Sequence, residues 1–285
     1  MLQMSRYRTE FSGHLWRKKD ERGWSVRLIG LNSGPLKKTM ETQLPFTILT
    51  QPTDSTCGPT CLHAIYKYYN DHISLDQVIN EVTAFDGGGT LAVFLGCHAL
   101  RRGYKAAIYT YNLQVFDPTW FTGGFAAAGL QEKLQLQAKI KTESKLRLAT
   151  AGYTEFLARG GNIRFQDLNA SLMRKYLKKG IPILTGLSST YLHRSARENM
   201  ITCAEDAVGG FPAGHFVVLY GYNRVEKMVC IAEPLHPNPL NSGQYYNEKI
   251  DRVICSILLG ILTYDANLLI IEKPEDSHGE SDSGK

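Results

Sequence analysis

One short segment of the chain carries the residue types that a thiol nucleophile needs. It runs from Gln51 to Cys57 and continues as Gly58-Pro59, where a helix is expected to begin because proline suits the first helical position. Free N–H groups and the positive end of the helix dipole favour an anion, so Cys57 lies where a thiolate would be stabilised. The side-chain amide of Gln51 and the backbone N–H of Cys57 could together bind an oxyanion. The segment therefore predicts attack by Cys57 on a carbonyl carbon.

A thiol nucleophile also needs a base, and His215 is the best candidate. It opens the apolar run 216–222, which is predicted to form a strand, and Glu233 closes the next predicted strand, 228–232. In a hairpin these two ends lie together, and a carboxylate there would fix the imidazole tautomer. A loop of even length would oppose His215 to Pro234, whereas an odd loop or a bulge would oppose it to Glu233. The proposed chemistry requires that His215 lie opposite Glu233.

Other side chains compete for these roles. Asn238 is a second candidate for orienting His215, since an amide oxygen can also accept from an imidazole N–H. Cys61 lies on the apolar stripe of the predicted helix and is expected in the core. No metal is expected, because a zinc site at Cys57 and Cys61 would need two further converging ligands and His63 faces another side of the helix. The remaining histidines are expected to pack on a helix, in the case of His98, or to lie at the surface or in loops, in the case of His63, His72, His193 and His236.

The elements that must position these residues alternate between helix and strand. Helical signals come first and strand signals dominate later, which predicts an α+β fold. Ser74 and Gln77 are spaced as a capping box, and Gly103 and Gly180 are placed to end helices. The apolar periodicity predicts helices near residues 58–69, 74–82, 90–103, 130–140, 146–157, 167–179 and 252–262, and strands at 46–50, 104–111, 181–187, 216–222, 228–232 and 268–271.

The composition is that of a globular enzyme. The 285 residues are 43% hydrophobic and 21% charged, which excludes wholesale disorder and a disulfide-dense miniprotein. The net charge of +5 is small and the basic residues are dispersed, so no nucleic-acid partner is expected. No signal peptide or membrane span is predicted, because the apolar run 253–262 is too short for one. The six scattered cysteines then predict a cytoplasmic protein with reduced thiols, and its oligomeric state is not predicted.

The chain resembles the bacteriocin-processing, or double-glycine, leader peptidases and their free-standing relatives among the papain-like cysteine peptidases. The resemblance lies in the block from Gln51 to Pro59, the strand entry Gly180-Ile-Pro182, the strand from Gly214 to Gly221 and the pair Glu233-Pro234. It covers roughly residues 46–272. It implies a papain-like fold in which an N-terminal helical half packs on a C-terminal antiparallel sheet.

The resemblance also implies a role for each residue of the site. Cys57 would be the nucleophile and His215 the base, with no metal or organic cofactor. Glu233 would orient the base and Gln51 would donate to the oxyanion. The family usually has aspartate at the third position, and Glu233 is one methylene longer. No transporter segment follows, so a free-standing peptidase is expected.

The sequence predicts three regions and one activity. The regions are a basic lead-in at 1–45, a papain-like peptidase domain at 46–272 with unmatched insertions near 112–166 and 190–210, and a disordered tail at 273–285. The expected activity is hydrolysis of a peptide or amide bond in a peptide or protein substrate, through a Cys57 thioester. Two alternatives stay open: an acyltransferase or peptide ligase that gives the thioester to an amine, and an inactive peptidase fold that binds peptides.

Overall fold

A mixed β-sheet is the central element of the part of the chain that the structure describes. The computed structural model describes residues 42–85, 88–122, 127–199 and 201–274, all within the unit Thr39–Lys285. Most of the predicted lead-in and nearly all of the predicted tail lie outside the described residues. The domain limits set at residues 46 and 272 therefore stay predictions.

The helices of the described residues include all seven that the sequence predicts. Ser74 accepts a hydrogen bond from the Gln77 N–H at 3.1 Å, as the predicted capping box requires. Gly103 and Gly180 have positive φ angles of 84° and 75°, which confirms them as helix terminators. The helices are α1 (Cys57–Tyr68), α2 (Leu75–Glu81), α3 (Ala92–Arg101), α4 (Ala127–Ile140), α5 (Ser144–Ala158), α6 (Ala170–Leu177), α7 (Ser189–His193) and α8 (Ile250–Leu259), with 3-10 turns at Pro118–Phe121 and Gly260–Thr263; only α7 has no counterpart in the prediction.

The strands of the described residues agree less completely with the prediction. The segment 46–50 is not a strand, although the two residues of β1 lie just before it and pair with β5. β3 and β7 were missed because β3 has only three residues and β7, Tyr-Tyr-Asn-Glu-Lys, lacks an apolar alternation. The strands are β1 (Thr42–Gln43), β2 (Lys105–Thr110), β3 (Asn162–Arg164), β4 (Ile183–Ser188), β5 (Gly214–Asn223), β6 (Met228–Ala232), β7 (Tyr245–Lys249) and β8 (Asn267–Glu272).

The strand order places β5 in the interior of the sheet, next to β4 and β6. The order is β3-β2-β8-β4-β5-β6-β7, with β1 paired to the far part of β5. Every described pairing is antiparallel except the one between β2 and β3. The predicted antiparallel sheet is thus confirmed apart from this edge.

Both faces of β5 are covered by helices. Phe216 and Val218 belong to a core cluster shared with α1, α3 and α5, while Val217 and Leu219 belong to a second cluster shared with α6 and α8. A strand buried on two sides has no polar alternation, which is why this segment reads as one apolar run. Helices cover a mainly antiparallel sheet, so the fold class is α+β, as predicted.

The unmatched region 112–166 is part of this core. Leu134 on α4 and Phe156 on α5 are fully buried and belong to the same cluster as Phe216. Two helices of the region therefore complete the packing of the first face instead of forming an appendage. Within the described ranges, every helix is too short or too polar to cross a lipid bilayer.

Candidate active site

Cys57 is the first residue of α1, at an uncapped helix N-terminus. The preceding Thr56 folds back, because its hydroxyl donates to the Thr53 carbonyl at 2.9 Å, and it gives α1 no side-chain cap. The N–H groups of the first turn are therefore available to an anion. Pro59 was predicted at the first helical position but occupies the third, because α1 already begins at Cys57.

Two close contacts fix the start of α1 against β5. A Cβ at Gly58 would lie 2.8 Å from Thr90 Cγ2 and 3.2 Å from the Phe216 ring, so glycine permits this approach. One turn later, the Cys61 thiol donates to the Phe216 carbonyl at 3.3 Å. Cys61 is fully buried, and this burial raises the pKa of its thiol well above the usual value, with Cys57 and Glu233 adding to the rise. Cys61 is thus a neutral core residue, as predicted.

His215, the second residue of β5, contacts both Cys57 and Glu233. Its Nε2 is hydrogen-bonded to Glu233 Oε1, and its ring also forms a hydrogen bond with the Cys57 side chain. Because Nε2 is engaged by the carboxylate, Nδ1 is the ring nitrogen left to interact with the sulfur. Burial alone would lower the pKa of His215, but Glu233 and Cys57 outweigh it and hold this pKa well above its ordinary value. The imidazole therefore carries a proton at neutral pH.

Glu233 is completely buried and accepts hydrogen bonds from four groups. Oε1 accepts from His215 and from the backbone N–H of Leu235, at 3.2 Å in the second case. Oε2 accepts from His193 Nε2 at 3.2 Å and from the Tyr246 hydroxyl at 3.1 Å. Burial alone would raise the pKa of Glu233, but the charge on His215 and the hydrogen bonds from both histidines lower it to about 2. The carboxylate is therefore an anion throughout the physiological pH range.

The strand register brings His215 and Glu233 together through a bulge. The turn between β5 and β6 has four residues, 224–227. With this turn alone, Glu233 would lie on the opposite face of the sheet from His215. An irregularity between Leu219 and Gly221 adds one residue to β5, so that Val218 pairs with Ala232. Glu233 thereby lies on the same face of the sheet as His215. The predicted need for a bulge or an odd loop is thus met. The predicted direct opposition is wrong, since the register continued by one residue would place Val217, and not His215, opposite Glu233.

His193 and Tyr246 are the residues that the sequence reasoning missed. His193 was predicted at the surface or in a loop, but it is 6% exposed at the end of α7 and contacts Glu233. It lies there because α7 directly follows β4, whose last residues pair with the start of β5. That pairing is the signal that could have found it. Tyr246 lies on β7, which no sequence pattern predicted.

Asn238, the rival of Glu233, serves its own loop. Its Nδ2 donates to the Gly243 carbonyl at 2.9 Å, and its Oδ1 accepts from the N–H groups of Leu240 and Asn241. Both ends of the amide are thereby used, so Glu233 and not Asn238 is the partner of His215 in the structure.

Gln51 lies beside the same site. Its backbone N–H donates to the Pro234 carbonyl at 2.9 Å, and its Nε2 donates to the Thr53 carbonyl at 3.0 Å. An amide NH2 has two hydrogens, so one remains for another acceptor. The side-chain oxygen, Oε1, is buried and has no hydrogen-bond partner among the described residues.

The other histidines within the described ranges stand apart from the site residues. His63 was predicted at the surface or in a loop, but it is 9% exposed on α1, since this helix is buried on nearly all sides, and burial lowers its pKa. His98 packs on α3 against Tyr66, as predicted, and His72 and His236 are exposed, also as predicted. Within the described ranges, no group of three or more His, Cys, Asp or Glu side chains is arranged to hold a metal ion.

Two cavities meet at the Cys57–His215 pair. The first, which we name the histidine-side cavity, is lined by Gln51, His193 and His215 among others, and not by Cys57. The second, the cysteine-side cavity, is lined by Cys57, and not by His215. Asp54 and Gly214 line both cavities, so the two cavities are neighbours.

Comparisons with known proteins found one matching family model and several similar solved structures. A family model described as the Peptidase_C39 like family matches residues 43–253. The structure is similar to that of a double glycine motif protease from an AMS/PCAT transporter, solved in complex with the leader peptide, at 14% identity and a TM-score of 0.40 over 82% of this chain and 96% of the other. It is also similar to a putative C39-like peptidase from Bacillus anthracis, at 13% identity and a TM-score of 0.43 over 82% and 98% of the two chains. Xylellain, a cysteine protease from Xylella fastidiosa, gives 14% identity and a TM-score of 0.38 over 92% and 100%. No curated protein sequence matches the chain significantly.

The charge of Glu233 predicts a specific loss of stability in acid. Its pKa is about 2 in the folded protein and close to 4.5 in the unfolded chain, so its contribution is complete above pH 4.5 and is lost as the pH falls toward 2. Between pH 5 and pH 2, the free energy of unfolding of the wild type should fall by about 3 kcal/mol more than that of Glu233→Gln. Urea denaturation followed by circular dichroism at several pH values measures the free energy of unfolding of both proteins. Glu132→Gln, an exposed change on α4, should titrate like the wild type, and parallel curves for Glu233→Gln and the wild type would contradict the assignment.

Proposed function

The chain belongs to the Peptidase C39-like family, and on that premise we propose that it is a cysteine peptidase that hydrolyses a peptide or amide bond through a Cys57 thioester. The observation that carries this proposal is the position of His215. One buried imidazole contacts the Cys57 thiol on one side and a buried carboxylate on the other. A nucleophile, its base and an orienting anion are the three parts that thiol-based acyl transfer requires.

Cys57 acts as the nucleophile and His215 as its base. His215 holds the thiol proton as an imidazolium, which the negative charge of Glu233 favours. The uncapped N-terminus of α1 adds favourable electrostatic interaction with a thiolate at its first residue. Both features favour an activated Cys57 sulfur before the substrate arrives, and this scheme requires no metal or organic cofactor.

The reaction proceeds in two stages. The Cys57 sulfur attacks the carbonyl carbon, a C–S bond forms, and the carbonyl electron pair moves to oxygen. The remaining Nε2 hydrogen of Gln51 and the Cys57 backbone N–H stabilise this oxyanion. As the electron pair returns, the C–N bond breaks and the leaving amine takes the proton from His215. In the second stage water attacks the thioester, His215 takes a proton from the water, and the carboxylic acid leaves Cys57.

Glu233 is a positioning residue in this scheme. Its bond to Nε2 aims Nδ1 at the sulfur and stabilises the charged imidazole. His193 and Tyr246 hold the second carboxylate oxygen, so the carboxylate cannot rotate away from His215. A peptide or protein substrate is favoured, because one cavity is lined by Cys57 and the neighbouring one by His215. The cytoplasmic location is proposed from the sequence alone.

Digestion of a peptide library tests the activity. Wild-type protein mixed with a proteome-derived peptide library should generate new N-termini that mass spectrometry identifies, and Cys57→Ala should generate none because it lacks the nucleophile. An added amine such as hydroxylamine should not be required for product release. Products found only as amine adducts would indicate the acyltransferase alternative. Peptide binding without cleavage would indicate the inactive alternative.

Alkylation of the cysteines tests the thiolate–imidazolium pair. Limited iodoacetamide treatment at about pH 6 should modify Cys57 far faster than the other cysteines, because only a thiolate reacts. Cys203 and Cys255 are exposed and serve as internal controls, while burial raises the pKa of Cys97 to about 12 and that of Cys230 to about 11. His215→Ala should remove the advantage of Cys57. Equal labelling of Cys57 and the two exposed thiols would contradict the pair.

The alkaline limb of the pH–rate profile tests Glu233. With a reporter peptide taken from the library, the kcat of Glu233→Gln should fall by about 10²-fold or more, since the base loses its orientation. The imidazolium is the proton donor, so activity declines as the pH rises through the pKa of His215. Removing the negative charge lowers that pKa, and the decline should begin at a lower pH in Glu233→Gln. An unchanged profile in Glu233→Gln together with a severe loss in Asn238→Ala would transfer the orienting role to Asn238.

A further inference from the structure

The histidine-side cavity has a wall built by the unmatched region near 190–210. We name this wall the flap; it comprises residues 195–199 and 201–213. Its two sides are joined by backbone bonds between Glu198 and Phe211, with N···O distances of 3.0 and 2.8 Å, and Asp206 N–H donates to the Arg197 carbonyl at 2.7 Å. The flap is thus a defined ribbon, and it contributes Ser195, Glu198, Cys203 and Glu205 to the cavity lining.

The charge that the flap presents to the cavity is negative. Glu198 and Glu205 lie opposite each other in an antiparallel bridge, and Asp54 adds a third carboxylate from the other side of the cavity. Like charges directly opposite on a ribbon are unfavourable, and a cation between them relieves the repulsion. None of the described lining residues is a lysine or an arginine, and the charge on His215 is balanced by the buried carboxylate of Glu233.

Gln51 supplies a second and independent indication. Its side chain is buried in the floor of this cavity, and its Oε1 has no hydrogen-bond partner among the described residues. A buried acceptor without a donor costs free energy that a hydrogen-bond donor on a ligand would recover. Three carboxylates and a buried carbonyl oxygen without a donor are all acceptors, so the cavity suits a group with several N–H donors and a positive charge.

The direction of the substrate follows from the chemistry of the pair. The acyl group becomes attached to Cys57, whereas the leaving amine receives its proton from His215. The cavity lined by His215 but not by Cys57 therefore accommodates the leaving-group side of the peptide. The cysteine-side cavity accommodates the acyl side.

We propose that the histidine-side cavity is a subsite for a basic side chain, lysine or arginine, on the leaving-group side of the scissile bond, with Glu198 and Glu205 of the flap as its specificity-determining residues. The inference rests on the proposed peptidase function. It assigns the acidic part of the unmatched region to substrate selection.

Matched peptides measure this preference. Reporter peptides carry either arginine or citrulline, its uncharged isostere, at each of the first three positions beyond the scissile bond. In at least one position the wild type should cleave the arginine peptide about tenfold faster in kcat/KM, and added salt should reduce the ratio because the carboxylates are solvent-accessible. The double variant Glu198→Gln, Glu205→Gln should cleave both peptides at the rate of the citrulline peptide, while Glu132→Gln should retain the preference. No preference in the wild type, or an unchanged preference in the double variant, would overturn the proposal.

Binding separates this proposal from the question of catalysis. The Cys57→Ala protein, titrated with fluorescently labelled arginine and citrulline peptides, should bind the arginine peptide more tightly. The same protein carrying Glu198→Gln and Glu205→Gln should not discriminate between them. Discrimination without any cleavage by the wild type would support the subsite and contradict the peptidase. Cleavage with equal binding and equal turnover of the two peptides would support the peptidase and contradict the subsite.

Discussion

The buried carboxylate of Glu233 is the interaction on which the site depends. A charge without solvent is costly in a protein interior unless hydrogen bonds and an opposite charge offset it. Here four donors do so, and they come from separate elements: His215 on β5, His193 on α7, Tyr246 on β7 and the backbone of Leu235. The carboxylate thereby ties together three elements that are distant in sequence. The same bonds that satisfy the charge also fix the imidazole toward Cys57.

The bulge in β5 makes this arrangement geometrically possible. With a four-residue turn and no irregularity, Glu233 would face the opposite side of the sheet from His215. The extra residue between Leu219 and Gly221 brings His215 and Glu233 to the same face of the sheet. The two residues are then diagonal neighbours and not directly opposed. Diagonal neighbours on paired strands are farther apart than opposed ones and are reached by long side chains. The additional methylene of glutamate, relative to the aspartate usual in the family, suits that separation.

The two regions that were predicted to be insertions, 112–166 and 190–210, serve different purposes. In the region 112–166, α4 and α5 bury Leu134 and Phe156 in the main core, so this part supports the face of the sheet on which α1 lies. The region near 190–210 supplies both His193 and the flap beside the histidine-side cavity. One region therefore contributes to stability and the other to the surroundings of the reacting bond. Both regions contribute to the same site, which α1 and β5 carry.

The sequence by itself determined the local features of this protein. The helix that begins at Cys57, the cap at Ser74, the terminators Gly103 and Gly180 and the strand of His215 all depend on neighbouring residues and on apolar periodicity, which are visible in one dimension. The tertiary structure decided the rest. His193 and Tyr246 reach Glu233 only because β4, β5, β6 and β7 are adjacent in the sheet, and β7 lacks an apolar pattern of its own. The register of β5 and β6 depends on a bulge beside Gly221, and although a glycine inside a strand is typical of a bulge, it does not by itself fix which residues pair across the strands. Contacts of this kind arise from packing between distant segments, so local patterns could not predict them.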